Sequence, residues 1–531
     1  MIKLDSSATT EKLYPNCDET IWSRSCDEEI LEPIPGKVSG EIPLWINGSL
    51  LRNGPGKSSF GCDKFKHLFD GSALLHRFAI ADGSVTYQCR FLQTNSYLKN
   101  SAAKRIVVTE FGTKAVKDPC LSIFEKFSGL FNTGDSMSDN AMISIYPFGD
   151  ELYAFSESPV MFKFNERNLE TTKRVNLSRE IGIVHHTSHP HVLSNGCVYN
   201  LGTIVTKFGP KYCIVEFPQG KDFNEAKIVA SIFPRRKLNP SYMHTFGITE
   251  NFFILIEQPL AVSVKLMSQT LWKNDPLIDS LRWFGKKTTK FHILSRKSGH
   301  TERSFYAVTF FFFHVINSYE EDNHIVVDIC CYENPDIIKG MYLDSFRTMQ
   351  TNPNYSSMFQ AKPLRFVLPL NEKEDQKNCN LIKLNGSKAQ AKIQKNGRIL
   401  CIPEELCETS CDLPRINYSN NSGLNYRYFY AMSSDFSNGG SIIKVDVKNK
   451  TQTTWSEKNC YPGEPVFLSA PNATSEDDGV VLSVLLRGNN QENHVELLVL
   501  CAKDLKVLAR YEFITPSPVP RCVHGWFKFD N

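Results

Sequence analysis

Short runs of β-branched and aromatic residues, separated by Gly, Asn, Asp and Pro, dominate the chain from about Leu44 onward. Clear cases are Phe252–Glu257 (FFILIE), His324–Cys330 (HIVVDIC), Ser441–Val447 (SIIKVDV) and Gly479–Leu486 (GVVLSVLL), each of strand length and each bounded by turn residues. Asp82-Gly83 and Asn195-Gly196 fall between such runs and predict tight hairpins. So long a succession of strands needs a closed β architecture, because closure or radial repetition removes exposed sheet edges. No clean internal repeat is present, so the pattern by itself leaves both a propeller and a sandwich open. Two segments break the pattern. Residues 113–132 (TKAVKDPCLSIFEKFSGLFN) place Leu121, Phe124, Phe127 and Phe131 three or four apart, a helical stripe that begins at Cys120. Residues 371–397 are polar and lysine-rich and predict an exposed loop.

Composition narrows the class of function. The 531 residues are 41% hydrophobic and 22% charged, as in an ordinary globular protein. Lys+Arg minus Asp+Glu is 60 − 57 = +3, and there is no long basic tract, so a nucleic-acid partner is not expected. Met1–Tyr14 lacks a signal-like apolar run, and no charge-free window approaches about 18 residues. The expected location is therefore cytoplasmic, with the 16 cysteines mostly reduced and Cys330-Cys331 reading as core thiols.

Among the thirteen histidines, four lie beside apolar, strand-like sequence: His189 (Thr-Ser-His-Pro-His), His244 (Ser-Tyr-Met-His-Thr), His314 (after Phe310–Phe313) and His524 (Val-His-Gly-Trp). Their separations of 55, 70 and 210 residues match no compact metal motif. Any one of them alone reads as a satisfied core histidine. Together they make a site only if the fold converges distant strand ends, as a propeller does at its axis. His185 and His186 read as loop residues and His191 as a neighbour of the site.

Several motifs occur in a fixed order: Arg52-Asn-Gly-Pro55, His67-Leu-Phe-Asp-Gly71, Tyr461-Pro-Gly-Glu-Pro465, Glu476-Asp-Asp-Gly479 and the ending His524-Gly-Trp-Phe527. In this order the chain resembles the carotenoid cleavage oxygenases from about Pro33 to its end, and Tyr426-Arg-Tyr-Phe-Tyr430 brings it nearest the insect carotenoid isomerooxygenases. The resemblance implies an all-β, seven-bladed propeller with a helical and loop cap over its top face, as one domain at 33–531 after an extension at 1–32. It implies one Fe(II) held by His189, His244, His314 and His524, which suits imidazole donors and leaves positions for dioxygen. Three carboxylates would orient the ligands: Glu157, Glu464 and, where the family carries glutamate, Asp412 in Asp-Leu-Pro-Arg-Ile-Asn. The shorter aspartate would bond its imidazole directly or through water.

The implied reaction is O2-dependent cleavage of the central double bond of a carotenoid to retinal, with one half isomerised to the 11-cis form for visual chromophore. The alternatives on the same fold are retinyl ester isomerohydrolysis and eccentric cleavage. Tyr242, two before His244, is expected on the ligand side of an ideal strand and so in the substrate pocket. Phe310–Phe313 beside His314 are expected to line a hydrophobic tunnel, with about half of them in the core because a strand alternates its faces, and Phe312 is the candidate taken from that run. The segment 113–132 resembles the family's membrane-binding segment, with Leu121, Phe124, Phe127, Phe131 and Cys120 at the bilayer and the protein peripheral to it.

Overall fold

A computed structural model describes residues 12–116, 138–371, 379–433 and 439–530. Among these residues the strands form seven sheets of four or more strands, one blade each of a seven-bladed propeller. Blade 1 runs, from its outer edge inward, Ile30–Pro35, Ser84–Phe91, Ser72–Ala81, Gly48–Lys57 and His524–Phe529. Blades 2, 3 and 4 begin at their inner strands Ser144–Phe148, Ile183–His186 and Gly247–Ile248. Blade 5 runs outward from Phe311–Glu321 through His324–Tyr332 to Lys362–Pro369, and blade 6 starts at Asp412–Ile416. Blade 7 comprises Cys460–Pro462, Val466–Ser469, Gly479–Arg487, His494–Cys501 and Val507–Ile514, and its outermost strand is the early segment Lys37–Gly40. The ring is thus closed twice. His524–Phe529 pairs with Gly48–Asn53 in blade 1, and Lys37–Gly40 pairs with Ala509–Glu512 in blade 7.

A blade packs on a neighbour through both faces, so its middle strands read as continuous apolar runs instead of alternating ones. His324–Tyr332 is buried at every position. The charge in that run, Asp328, is held by two hydrogen bonds from Arg365 (2.9 and 2.8 Å) and one from the Tyr426 hydroxyl (2.6 Å). This compensation is what a fully desolvated carboxylate requires. The other motifs likewise join neighbouring blades. Glu476 accepts the backbone N–H groups of Arg427 and Tyr428, and the buried Lys444 ammonium donates to Asp477. Asp70 accepts the backbone N–H of His67 and Gly112 and the Thr113 hydroxyl, fixing the chain that leads into residue 117. The hairpin at Asp82-Gly83 is as expected, with φ of 49° and 74° at its two central residues and Ala81 opposite Ser84.

The helices lie in the connections between strands and pack on one another. Leu343–Arg347 belongs to the insert after blade 5's second strand, and Trp22 stacks on its Phe346 at 4.9 Å between ring centroids. Ile278 N–H, following the helix Val264–Lys273, donates to Phe111 O. Among the described residues no helix is long and apolar enough to cross a membrane.

Two sequence boundaries differ from expectation. Residues before 33 are not all an extension: Cys17, Ile21 and Cys26 are buried in the body, and Ile30–Pro35 is a strand of blade 1. Within 371–397, Gln390–Ile393 form a strand on Ile399–Ile402, with Leu381, Ala389 and Ala391 buried. These scattered apolar positions are masked in the sequence by the lysines between them. Leu121, Phe124, Phe127, Phe131 and Cys120 lie outside the described residues.

Candidate metal centre

Each of the four histidines sits within, or within three residues of, the inner strand of a blade. His189 lies between Ile183–His186 and His191–Val192 of blade 3, and His244 three residues before the inner strand of blade 4. His314 lies within Phe311–Glu321, and His524 opens the closing strand of blade 1. Convergence at the propeller axis brings one ligand atom of each to within 4.8 Å of all the others. The rings pack edge to face, at centroid distances of 4.4 Å for His189 and His524 and 5.1 Å for His244 and His314.

Three rings donate outward to a carboxylate. His244 Nδ1 donates to Glu157 Oε1 (2.6 Å), His314 Nδ1 to Asp412 Oδ1 (2.7 Å) and His524 Nδ1 to Glu464 Oε1 (2.8 Å). The aspartate therefore reaches its imidazole directly. With the proton fixed on Nδ1, each ring turns a bare Nε2 lone pair inward. Among the described residues no carboxylate bonds His189, whose Nδ1 lies 3.4 Å from the Tyr146 hydroxyl. The Nε2 atoms of His189 and His314 are buried without a hydrogen-bond partner among the described residues. Such orphaned acceptors are costly unless something binds them. Four neutral nitrogens at this spacing fit one divalent ion, since metal–nitrogen bonds of about 2.1 Å put opposite ligands about 4.2 Å apart.

Electrostatics favour this state. Burial pushes the Glu157 carboxyl up, but the neighbouring His185 and the bonded His244 outweigh it and hold it at about 2. Glu464 is held well below the usual range, despite burial, by Arg415, His524 and Arg52. Asp412 is lowered, against burial, by His314, Tyr332 and the Leu413 N–H. Burial pushes His524 down to about 4, and burial plus the three neighbouring imidazoles pushes His189 far down.

One strand serves two of the histidines. Asp412 holds His314, while Arg415 donates to both oxygens of Glu464, which holds His524. Residues three apart on a regular strand face opposite ways. Here Asp412 pairs with Met432 and Arg415 with Tyr430, so three steps on one strand match two on the other. Leu413 absorbs this bulge at φ 54°, and both side chains reach the axis.

Sequence reasoning missed four residues: Arg52, Arg415, Tyr332 and His185. Arg52 Nη1 donates to Glu464 Oε2 (2.7 Å) from a side chain 1% exposed. A lone arginine within Leu50-Leu-Arg-Asn53 was a signal, because a buried cation needs a partner. His185 is a strand residue 3.7 Å from Glu157, and His186 is buried in the same strand. Neither is a loop residue, because Ile183–His186 pairs with Gly202–Ile204.

The two pocket assignments fare differently. The Tyr242 hydroxyl donates to Glu157 Oε1 (2.6 Å), so it lies on the ligand side but its polar end is engaged by the carboxylate. Phe312 is not at the site. It is fully buried against Phe310, while Phe313 packs on the His244 ring at 5.0 Å. The pairing shifts register between Phe312 and Val315, which inverts the alternation expected from His314.

The histidines predict a specific acid sensitivity. His67, His186, His191 and His524 are pushed by burial to about 4 and His76 to about 3, against an ordinary 6.5. Folded pKa values below the unfolded ones give stability that is complete above about 6.5 and lost as pH falls toward 4, because the unfolded chain binds the protons first. Glu157, at about 2, loses its contribution only below the ordinary carboxylate range near 4.3. The melting temperature of metal-free protein should fall steadily from pH 6.5 to 4.5. A flat profile there would contradict neutral buried imidazoles.

The profile of the RPE65 family, described as retinal pigment epithelial membrane protein, matches residues 23–528. The chain belongs to that family, and its ring of seven blades is the fold of the family's solved structures. It is 50% identical over 524 residues to the carotenoid isomerooxygenase of Galleria mellonella, covering 97% of this chain and 98% of that one. It is 46% identical to the carotenoid isomerooxygenase of Drosophila melanogaster (97% and 94% covered). Human β,β-carotene 15,15'-dioxygenase is 38% identical (93% and 92%). Among solved structures, an ACO/RPE65 chimera superposes with a TM-score of 0.74 at 22% identity, over 97% of this chain and 98% of the other. Cobalt-substituted Synechocystis ACO gives 0.74 at 21% (96% and 98%).

Proposed function

We propose that the chain is an iron(II)-dependent carotenoid dioxygenase that cleaves the central double bond with O2 and isomerises one half of the product. The observation that carries this reading is the assembly of all four histidines, with three carboxylates behind them, in a chain half identical to carotenoid isomerooxygenases over nearly its whole length. His189, His244, His314 and His524 would hold the ion. When bound, Fe(II) would supply dioxygen activation. The chain's own contributions are positional. Glu157, Asp412 and Glu464 keep the imidazole protons on Nδ1, and Phe313 walls the His244 side with apolar surface. No acid or base is asked of the imidazoles, and burial favours the neutral form of His189, His244 and His524. The test is to incubate iron-loaded protein with β-carotene under 18O2 and separate the products. Retinal labelled in both halves, with an 11-cis fraction, is expected. Unlabelled product without O2 consumption would indicate a hydrolase, and unequal apocarotenals would indicate eccentric cleavage.

The protein is further proposed to dock peripherally on a lipid surface, since a C40 hydrocarbon partitions into bilayers. Support comes from exposed Leu238 (69%), Trp272 (64%) and Leu271, with Lys237 and Lys273 next to them in sequence. The helix carrying Leu271 and Trp272 adjoins the chain leading into 117–131: Thr109 donates to Asn274 O, and Lys114 pairs with Asp275. Each large apolar side chain so buried yields about 1.5–3 kcal/mol. A Leu238→Ser, Trp272→Ser variant and the Phe124→Ser, Phe127→Ser variant should each stop floating with liposomes while still cleaving detergent-solubilised substrate. Continued flotation of both would place the docking surface elsewhere.

A further inference from the structure

The three carboxylates behind the histidines are not held alike. Glu464 is gripped by two guanidinium groups, those of Arg52 and Arg415. Glu157 takes the His244 ring and the Tyr242 phenol on the same oxygen. Asp412, a methylene shorter than either, divides its bonds. Oδ1 accepts His314 Nδ1 (2.7 Å) and the Leu413 N–H (2.9 Å), and Oδ2 accepts the Tyr332 hydroxyl at 2.6 Å. Tyr332 ends the strand His324–Tyr332, which pairs with the strand carrying His314, so the two side-chain donors come from blade 5 and the acceptor from blade 6. The phenol is buried, with Asp412 as its hydrogen-bond partner.

We propose that Tyr332 is a positioning residue for the metal centre: its hydroxyl pins the second oxygen of Asp412, and so fixes the plane of the carboxylate that aims His314. The inference rests on the metal reading above. A carboxylate bonded through one oxygen can rotate about its Cβ–Cγ bond, and the imidazole bonded to it can tilt in response. Bonds at both oxygens remove that freedom. They also make the pocket specific for aspartate, since an added methylene would drive the carboxylate against a hydroxyl already 2.6 Å away. Removing the hydroxyl leaves a buried carboxylate oxygen without its donor, which favours a swung carboxylate over the aligned one.

The test uses Co(II) and Fe(II) affinity by chelator competition, the visible spectrum of the Co(II) protein, and the melting temperature of metal-free protein. Wild-type chain must first bind one ion per chain. If it does not, the metal reading fails and not this inference. Tyr332→Phe should weaken metal affinity about 10–100-fold and alter the Co(II) bands, with the metal-free melting temperature lowered by no more than the loss of one buried hydrogen bond accounts for. Asp412→Glu alone should weaken binding comparably. The double variant Tyr332→Phe, Asp412→Glu should recover much of the loss, because the freed space accepts the longer acid. Single-variant affinity and spectrum equal to wild type would overturn the proposal. So would a Tyr332→Phe loss confined to metal-free stability, or a double variant in which the two losses simply add.

Discussion

Alanine at His189, His244, His314 or His524 is expected to abolish turnover and to leave well under one metal ion per chain. The four ligand atoms converge from four separate blades, so no other side chain can move in without moving a blade. His189→Ala is the most demanding case. Among the described residues its ring alone lacks a carboxylate, and the Tyr146 hydroxyl, 3.4 Å away, is the group on its outer nitrogen. The control is His300→Ala, at an exposed position in a hairpin turn of blade 4. Metal stoichiometry and product yield should be read on the same preparations. A His189→Ala protein with full metal and full turnover would reduce the centre to three ligands.

Glu464→Gln is expected to be the most destabilising single change around the site. It leaves Arg52 and Arg415 buried without their anion, and breaking a buried pair by removing one partner typically costs about 3–5 kcal/mol. The same substitution at Glu157 removes a carboxylate that contacts no arginine, so its effect should appear as a graded loss of metal affinity with little loss of fold. Denaturant midpoints measured without metal separate the two. Adding Arg52→Met to Glu464→Gln should restore part of the stability, because one unpaired cation is removed. If both glutamine variants unfold at the wild-type midpoint, the guanidinium pair is not what Glu464 stabilises.

The strands were legible from residue pattern, and Phe252–Glu257 coincides with a strand to the residue. The number of blades was not, because each blade is filled by different side chains and leaves no repeat in the sequence. The histidines were visible only through their motifs: nothing in a spacing of 210 residues says that His314 and His524 touch. The failure at Phe312 has a definite cause. Alternation assumes a regular strand, and the bulge before Val315 moved the inward position to Phe313. Asp412 and Arg415 were obscured in the same way, since residues three apart are not expected to face together. The sites of chemistry are where the strands depart from regularity, so sequence periodicity is least informative there. Arg52, by contrast, stood in plain view as a charge in an apolar strand.

The closing strand carries one of the four clustered histidines. His524 is both the first residue of the strand that completes blade 1 and a member of the metal cluster. Its neighbour Gly525 runs so close to blade 1 that a β-carbon there would lie 2.1 Å from Leu51 O. During synthesis, six blades and three of the four histidines emerge before this strand exists. A nascent or truncated chain lacking it would have an open ring and a site unable to retain the ion. If the four histidines hold an ion as proposed, its capture would be coupled to the completion of folding, and the amount of tightly held metal in a preparation would count the closed rings in it.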